Sequence, residues 1–494
     1  MTTPKHFLML PNYFLADLPP EATLSPAMIT AACEALRRNR EKYLAPRKLE
    51  DIVQLLCEVA GGWLEPDNKY RRLALDSFRS AGLPAQLAGD PLAPAGAAPG
   101  APGPGFSAAT VARGLDDFFR RFTPENFQAL LAQDLGDAAA ATRVAVAEPS
   151  GHPPQAARHF WHGPQLLVHV AAGNIPNPAL MSLTLGLLTR SAQFMKCASG
   201  ASLLPRLFAH SLYEADHKLG ACLELAEWRG GNEAVEAAVF AGADCVTATG
   251  SDAVLAAIRA RVPSHVRFLG YGQRVSFGYV AREALSDEAV AELVARLADD
   301  VVAWDQNGCL SPHVIYVEER GAVESDRFAQ LLAVELMNRE AAEPRGPISM
   351  EESAAIASRR SIYETLAVHR GDVKIWQSQN STAWTVVFEH EGRFHFSPLN
   401  RFIFVKPVPD LAAVFPGVDE LKGKISTVAV AARPERLKDV AAHLARWGVT
   451  RICPPGQMQN PPLTWRHDGR PALGDLVTWT DFEFEPQINT DDHR

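Results

Sequence analysis

Between residues 166 and 274 the chain alternates strand and helix so regularly that few folds can hold it. The run Leu166-Leu167-Val168-His169-Val170 is almost wholly apolar, as a strand buried on both faces must be. A tight loop follows, Ala171-Ala172-Gly173-Asn174-Ile175-Pro176-Asn177-Pro178, then a helix over 179–191 and a second strand, Gln193-Phe194-Met195-Lys196-Cys197. Parallel strands need a long crossover, and a helix supplies it. The unit repeats as helix 202–219, strand 221–228, helix 233–240, strand 244–248, helix 253–261 and strand 266–269. This alternation predicts a doubly wound α/β domain.

The flanks read differently. Residues 1–141 form a helical region, with helices over 25–36, 48–64, 68–81 and 107–135, and Ser25-Pro26 has the form of an N-cap and first turn. Inside it, the Ala/Pro/Gly run 88–105 cannot bury enough apolar surface to order itself and is expected as a flexible loop. Short strands are expected around 144–146 and 158–162. Residues 142–274 make the dinucleotide-binding type of domain, joined by part of the N-terminal region. Residues 275–464 make a second α/β domain. In it a helix over 287–302, with apolar Val290, Leu293, Val294, Leu297 and Val301, leads through a polar turn containing Cys309 into the strand 313–317. Helices over 325–337, 351–368 and 437–447 and strands over 373–376, 383–388 and 401–405 follow. The C-terminal segment 465–494 holds a strand-like piece, 477–482, suited to pairing with another subunit.

At 494 residues the chain has room for about two to four domains. A formal charge of -9 with no basic run argues against nucleic acid as the partner. The seven cysteines are scattered, with no Cys-x-x-Cys pair. That points to neither a zinc site nor a disulfide framework, and to a reducing, cytoplasmic compartment. No metal is expected. No apolar run approaches 18 residues, so no transmembrane helix is expected, and Phe7-Leu8-Met9-Leu10 is too short for a secretory signal.

Four places carry candidate chemistry. Thr249-Gly250-Ser251 lies at a strand-to-helix turn, where backbone N–H groups can hold an anion, although glycine is also the default turn residue. Lys196 ends a strand at the carboxyl edge, where ligands of α/β folds bind; a lysine reaching for solvent fits equally well. Asn174 stands at the same edge and could donate to an oxyanion, or simply form its turn. Cys309 follows a glycine at a helix-to-strand junction, where a thiol can face a cleft, though most free cysteines pack as small hydrophobes. Neither a Gly-x-Gly-x-x-Gly fingerprint nor a Walker A motif occurs, which disfavours an ordinary Rossmann dehydrogenase.

In their joint order these segments resemble the aldehyde dehydrogenase superfamily. Within it, the chain is similar to acyl-CoA reductases of the LuxC type, the fatty-acid reductase component of bacterial bioluminescence. Trp63-Leu64 with Tyr70-Arg71-Arg72, Gly270-Tyr271-Gly272-Gln273-Arg274, Cys309-Leu310-Ser311-Pro312 and Trp465-Arg466-His467-Asp468-Gly469 carry that likeness. The resemblance implies an aldehyde-dehydrogenase-like fold: a doubly wound cofactor domain, an α/β catalytic domain and a small oligomerisation element. It implies Cys309 as nucleophile, Asn174 as oxyanion donor, and Lys196, Thr249, Gly250, Ser251 and Gly270 around the cofactor. His467 and His313 are the candidates for proton transfer, His467 the more interesting because it lies in a family-like motif.

Two departures refine the expectation. Hydrolytic aldehyde dehydrogenases carry a glutamate in the segment that here reads Phe268-Leu269-Gly270-Tyr271-Gly272. Without that base an acyl-enzyme should be released to a thiol or reduced, not hydrolysed. Ser199 stands where NAD-preferring relatives commonly place a glutamate, which favours NADPH, with NADH the alternative. The expected reaction is reduction of a medium- or long-chain acyl-CoA, or acyl-carrier thioester, to the aldehyde. The rivals are a CoA-acylating aldehyde dehydrogenase, a reductase of another activated acyl group, and a non-catalytic scaffold for an acyl-activating protein partner. A homo-oligomer is expected.

Overall fold

The computed structural model describes residues 10–19, 22–81, 105–136 and 159–481. The expected loop over 88–104 and the strand over 144–146 lie outside them. The N-terminal helices are α1 (Pro26–Asn39), α2 (Leu49–Leu64), α3 (Lys69–Ala81), α4 (Ala108–Phe119) and α5 (Pro124–Leu135). Side-chain oxygens of Ser25, Ser107 and Thr123 cap α1, α4 and α5 by accepting backbone N–H groups that the first turn cannot pair. Trp63 of α2 is fully buried; it stacks on Phe119 at 5.1 Å and donates its indole N–H to Ser211 Oγ at 2.9 Å. These helices thus share one core with the sheet that follows.

After β1 (His159–His162), that sheet is built from β2 (Leu166–Val170), α6 (Asn177–Leu188), β3 (Ala192–Cys197), α7 (Leu203–Ala215), α8 (His217–Gly220), β4 (Leu223–Glu227), α9 (Glu233–Ala241), β5 (Cys245–Thr249), α10 (Asp252–Arg261) and β6 (Arg267–Tyr271). Its order is β4-β3-β2-β5-β6, all parallel. The expected single helix over 202–219 is broken at Asp216, whose extended backbone (φ -152) lets its carboxylate cap α8 and pair with Arg47 at 2.6 Å. The winding reverses between β2 and β5, and a crevice opens at such a switch point outside the carboxyl ends of the strands.

The second sheet takes β7 (Val275–Val280), α11 (Val290–Val302), β8 (Pro312–Glu318), α12 (Ser325–Ala342), α13 (Met350–His369), β9 (Val373–Gln377), β10 (Thr385–Glu389), β11 (Phe402–Val408), α14 (Val414–Val418), β12 (Ile425–Ala431), α15 (Pro434–Trp447) and β13 (Arg451–Cys453). Its order is β13-β12-β7-β8-β11-β10-β9, parallel except for β9. The last strand, β14 (Thr478–Asp481), pairs antiparallel with β1 of the same chain. That internal pairing takes one edge of β14. Among the described residues no helix is long and apolar enough to cross a membrane.

Candidate active site

The loop that carries Cys309 is held by strained backbone. Trp304, Asp305 and Gln306 are consecutive left-handed residues, with φ of 51, 49 and 66°. A second such run, Leu399, Asn400 and Arg401, has φ of 63, 56 and 66° and enters β11. Each left-handed L-residue costs about 1–2 kcal/mol, so something must over-determine both turns. They interlock. Arg401 Nε and Nη2 reach Asp305 Oδ1 at 2.8 and 2.7 Å, and both side chains are buried. Gln306 donates to the carbonyls of Pro312 and Phe402 at 2.8 Å each, and the Phe402 N–H donates back to Gln306 Oε1 at 2.8 Å. Behind them Trp304 packs so tightly on α4 that a Cβ at Gly114 would run into its ring.

Cys309 follows as a partly buried thiol. Its carbonyl accepts from Ser276 Oγ of β7 at 2.9 Å, while that hydroxyl accepts from the Thr427 N–H of β12 at 3.2 Å. The segment after β13 covers the loop: Gln459 leaves no room for a side chain at Gly308 and donates to Ser311 Oγ at 2.6 Å. Asp300 of α11 fixes that segment by accepting the Gly456 and Met458 N–H groups at 2.7 and 2.8 Å. Asn174, exposed in the loop after β2, donates Nδ2 to the Asn307 carbonyl at 2.9 Å. A carboxamide nitrogen carries two N–H groups, so one remains for a ligand beside the thiol.

Burial is the main reason the Cys309 thiol is pushed up to about 11, and the charge of Asp468 adds to it; the thiol's own backbone N–H and Arg274 pull the other way. Asp468 is the residue that sequence reasoning missed. It stands in a left-handed turn (φ 55), and Arg274 grips both its oxygens, Nε to Oδ1 and Nη2 to Oδ2, each at 3.0 Å. Both residues lie in the segments that carry the family likeness, which was the only sequence signal for them. A carboxylate thus does reach the thiol's surroundings, from the tail and not from β6, but it is locked in a two-point ion pair. His467 is sandwiched between Tyr271 at 4.7 Å and Trp465 at 4.6 Å. Burial lowers its pKa, opposed by Asp468, so it is neutral at physiological pH. His313 is placed otherwise. Its Nδ1 accepts the Ser397 N–H at 3.1 Å, its ring packs on Phe394 and Phe396, and burial drops its pKa to about 4.

The remaining predicted residues gather at the carboxyl edge of the first sheet. Lys196 is half-buried at the end of β3, where burial lowers its pKa against the pull of Glu236 and Glu227, and among the described residues its ammonium makes no hydrogen bond or ion pair. Ser251 Oγ caps α10 by accepting the Val254 N–H at 3.3 Å, and Thr249 ends β5. The Gly250 N–H donates to the Tyr271 carbonyl at 3.2 Å, and the Gly270 carbonyl accepts from Arg470 at 3.1 Å. An unsatisfied cation and a helix N-terminus at one crevice suit the phosphates and ribose of a dinucleotide. Ser199 is exposed and donates to the Trp228 carbonyl at 3.3 Å. The turn around Ser199 does carry a carboxylate, because Glu227 at the end of β4 accepts the Gly200 N–H at 2.8 Å. Elsewhere, Glu389, Glu391 and His395 bring ligand atoms within 4.8 Å of one another. Buried Lys406 already sits 2.6 Å from Glu389 and takes a cation's place there.

A family model described as acyl-CoA reductase (LuxC) matches residues 103–479. The long-chain acyl-protein thioester reductase 2 of Photobacterium leiognathi is 26% identical over 332 residues, 66% of this chain and 65% of that one. The long-chain acyl-protein thioester reductase of Aliivibrio fischeri is 26% identical over 329 residues, 64% of this chain and 63% of that one. The chain therefore spans a little under two thirds of the length of these relatives. Among solved structures, a NAD-dependent benzaldehyde dehydrogenase from Corynebacterium glutamicum superposes with a TM-score of 0.63 at 15% identity, covering 93% of this chain and 90% of that one. Glyceraldehyde-3-phosphate dehydrogenase GapN from Methanocaldococcus jannaschii, complexed with NADP, gives 0.59 at 12%, covering 93% and 94%. The chain has the aldehyde-dehydrogenase fold.

Proposed function

Because the chain belongs to the acyl-CoA reductase (LuxC) family, we propose that it reduces a fatty acyl thioester to the aldehyde through an acyl group carried on Cys309. The observation that carries this reading is the Arg274 clamp on Asp468. A carboxylate held at both oxygens is a poor base for water, so an acyl-enzyme beside it persists until it is reduced or returned to a thiol.

Cys309 attacks the thioester carbonyl, the donor thiol departs with the cysteine's proton, and Asn174 with the backbone N–H of Cys309 holds the oxyanion. One such donor is worth about 3–4 kcal/mol. Lys196 and the α10 N-terminus would hold a nicotinamide cofactor, which would supply the hydride to the acyl carbon on Cys309. The resulting hemithioacetal breaks its C–S bond, giving aldehyde and restoring the cysteine. Neutral His467 is the proposed proton relay, while His313 has a structural place. NADPH is the proposed reductant because Lys196 lacks an internal counter-ion; Glu227 tempers that preference. The domain division at 274/275, an oligomeric assembly and a cytoplasmic location are parts of the same proposal.

Radiolabelled acyl-CoA of graded chain length, with NADPH or NADH, is the direct test. The wild type should form labelled enzyme and release aldehyde, and Cys309→Ala should do neither while still binding cofactor. Label persisting on another cysteine would sink the assignment.

A further inference from the structure

A cavity of about 540 Å³ lies between the end of α4 and the segment after β13, lined among others by Arg121, Arg451, Gln457, Asn460 and Trp465. No aspartate or glutamate lines it. Arg121 spends Nε on the Asp117 carbonyl and Nη1 on the Pro461 carbonyl. Arg451 spends Nη1 on the Met458 carbonyl and Nη2 on the Gln457 carbonyl, at 2.7 and 2.6 Å. Among the described residues neither makes an ion pair. Asp117 and Asp300 are the acidic groups whose charges reach Arg121 and Arg451, and neither side chain lines the cavity. A guanidinium has five N–H donors, so both keep donors to spare. Trp465, on the same wall, has a buried indole N–H with no partner. Asn460 Oδ1, on the same lining, is a buried acceptor without a partner, but two half-satisfied cations and an orphan donor outweigh it, and the cavity suits an anion. The wall also leads to the chemistry, since Gln459, between Gln457 and Asn460, covers Gly308 beside the nucleophile.

We infer that this cavity is a subsite for the phosphate of the phosphopantetheine arm that presents the acyl thioester. The inference rests on the proposed thioester chemistry for its choice of ligand. Its volume is within the range of small-molecule sites, and paired arginines match phosphate oxygens. The arm is shared by acyl-CoA and by acyl-carrier proteins, so either could supply it.

The test uses the full chain as Cys309→Ala, saturated with NADPH so that the cofactor crevice is filled. Titration with 4′-phosphopantetheine and with pantetheine should show the phosphate form binding at least tenfold tighter. In Arg121→Gln and in Trp465→Phe, which keeps the ring and loses the N–H, that ratio should fall to threefold or less. Equal binding of the two probes, or a ratio unmoved in both variants, overturns the proposal. With Cys309 intact, acyl-CoA and an acyl-carrier protein are then compared as donors. The one whose KM rises about tenfold in Arg121→Gln names the source, and a rise for neither counts against the subsite. Phosphate discrimination without any acyl-enzyme would uphold the subsite and overturn the catalytic reading. Acylation blind to the phosphate would do the reverse.

Discussion

A thiol held near 11 is almost wholly protonated at neutral pH, so the attack that starts the reaction waits on its deprotonation. The thiolate fraction of Cys309 grows with pH up to about 11. Alkylation by iodoacetamide should therefore accelerate about tenfold per unit between pH 7 and 9, because the thiolate is the nucleophile. Asp468→Asn removes a charge that raises this pKa and frees Arg274 to lower it. Labelling at pH 8 should then speed up several-fold; an unchanged rate would remove Asp468 from the thiol's surroundings. On the cofactor side, Glu227→Gln deletes the carboxylate next to Ser199. The loss of one like charge about 4 Å away in water is worth about 1 kcal/mol, so NADPH should bind about fivefold tighter while NADH changes little, as read by equilibrium titration. The weakness of sequence reasoning is visible at both residues. Glu227 and Asp468 are ordinary in the chain, and only the packing of β3 on β4, and of the tail on β6, brings them to the ligands.

At the scale of elements, the buried strands and capped helices were legible because their signals are local. Leu166–Val170 is read from its apolar run alone, and Ser25, Ser107 and Ser251 each cap the helix that follows. Strands β7 and β12, inside the second sheet, were not foreseen. Ser276 and Gly278 interrupt the β7 pattern for tertiary reasons: the first ties the Cys309 carbonyl to β12, and the second sits 3.2 Å, at the Cβ position, from Ile315. β12 carries the adjacent pair Ser426-Thr427 near its start and then alternates valine with alanine in the same crowded interior, and β13 is only three residues long. The paired left-handed turns were hardly more visible: Asp305 and Asn400 are of the types that tolerate φ above zero singly, but nothing in Trp304, Gln306, Leu399 or Arg401 suggests three such residues in a row. Arg401→Met would leave Asp305 buried and unpaired. Breaking such a pair costs about 3–5 kcal/mol, to be read as a lower denaturant midpoint, and acylation of Cys309 should slow with it. Full retention of both would mean that Gln306 alone holds the loop.

Across the whole molecule, the two sheets face the crevice with different equipment. The first supplies the carboxyl edge with Lys196 and the α10 N-terminus, and the second supplies the thiol. Their division between β6 and β7 follows the alternation visible in the sequence, but the coupling between them does not. Trp304, next to the nucleophile loop, belongs to the core that the N-terminal helices share with the first sheet. Gly114→Ala should therefore act at a distance. Overpacking of this kind costs about 1–3 kcal/mol, and the displaced Trp304 ring should slow acyl transfer to Cys309 without changing NADPH affinity. A variant that loses stability but acylates at the wild-type rate would show the two cores to be independent.

The tail has a further consequence, one of timing. Arg274, Tyr271 and Cys309 are all synthesised before the partners that condition them, Asp468, His467 and Trp465, and β14 closes onto β1 later still. Domains generally fold as the ribosome delivers them, N-terminal part first. The first sheet can therefore begin to assemble while the thiol still lacks its cover and the Asp468 charge that raises its pKa. Only when the 457–481 stretch arrives is the reactive sulfur enclosed, so an interrupted translation product would carry an uncovered thiol and an incomplete site. The late segment would then quiet the thiol, since its cover and the Asp468 charge, both of which raise the thiol's pKa, arrive only with the end of the chain.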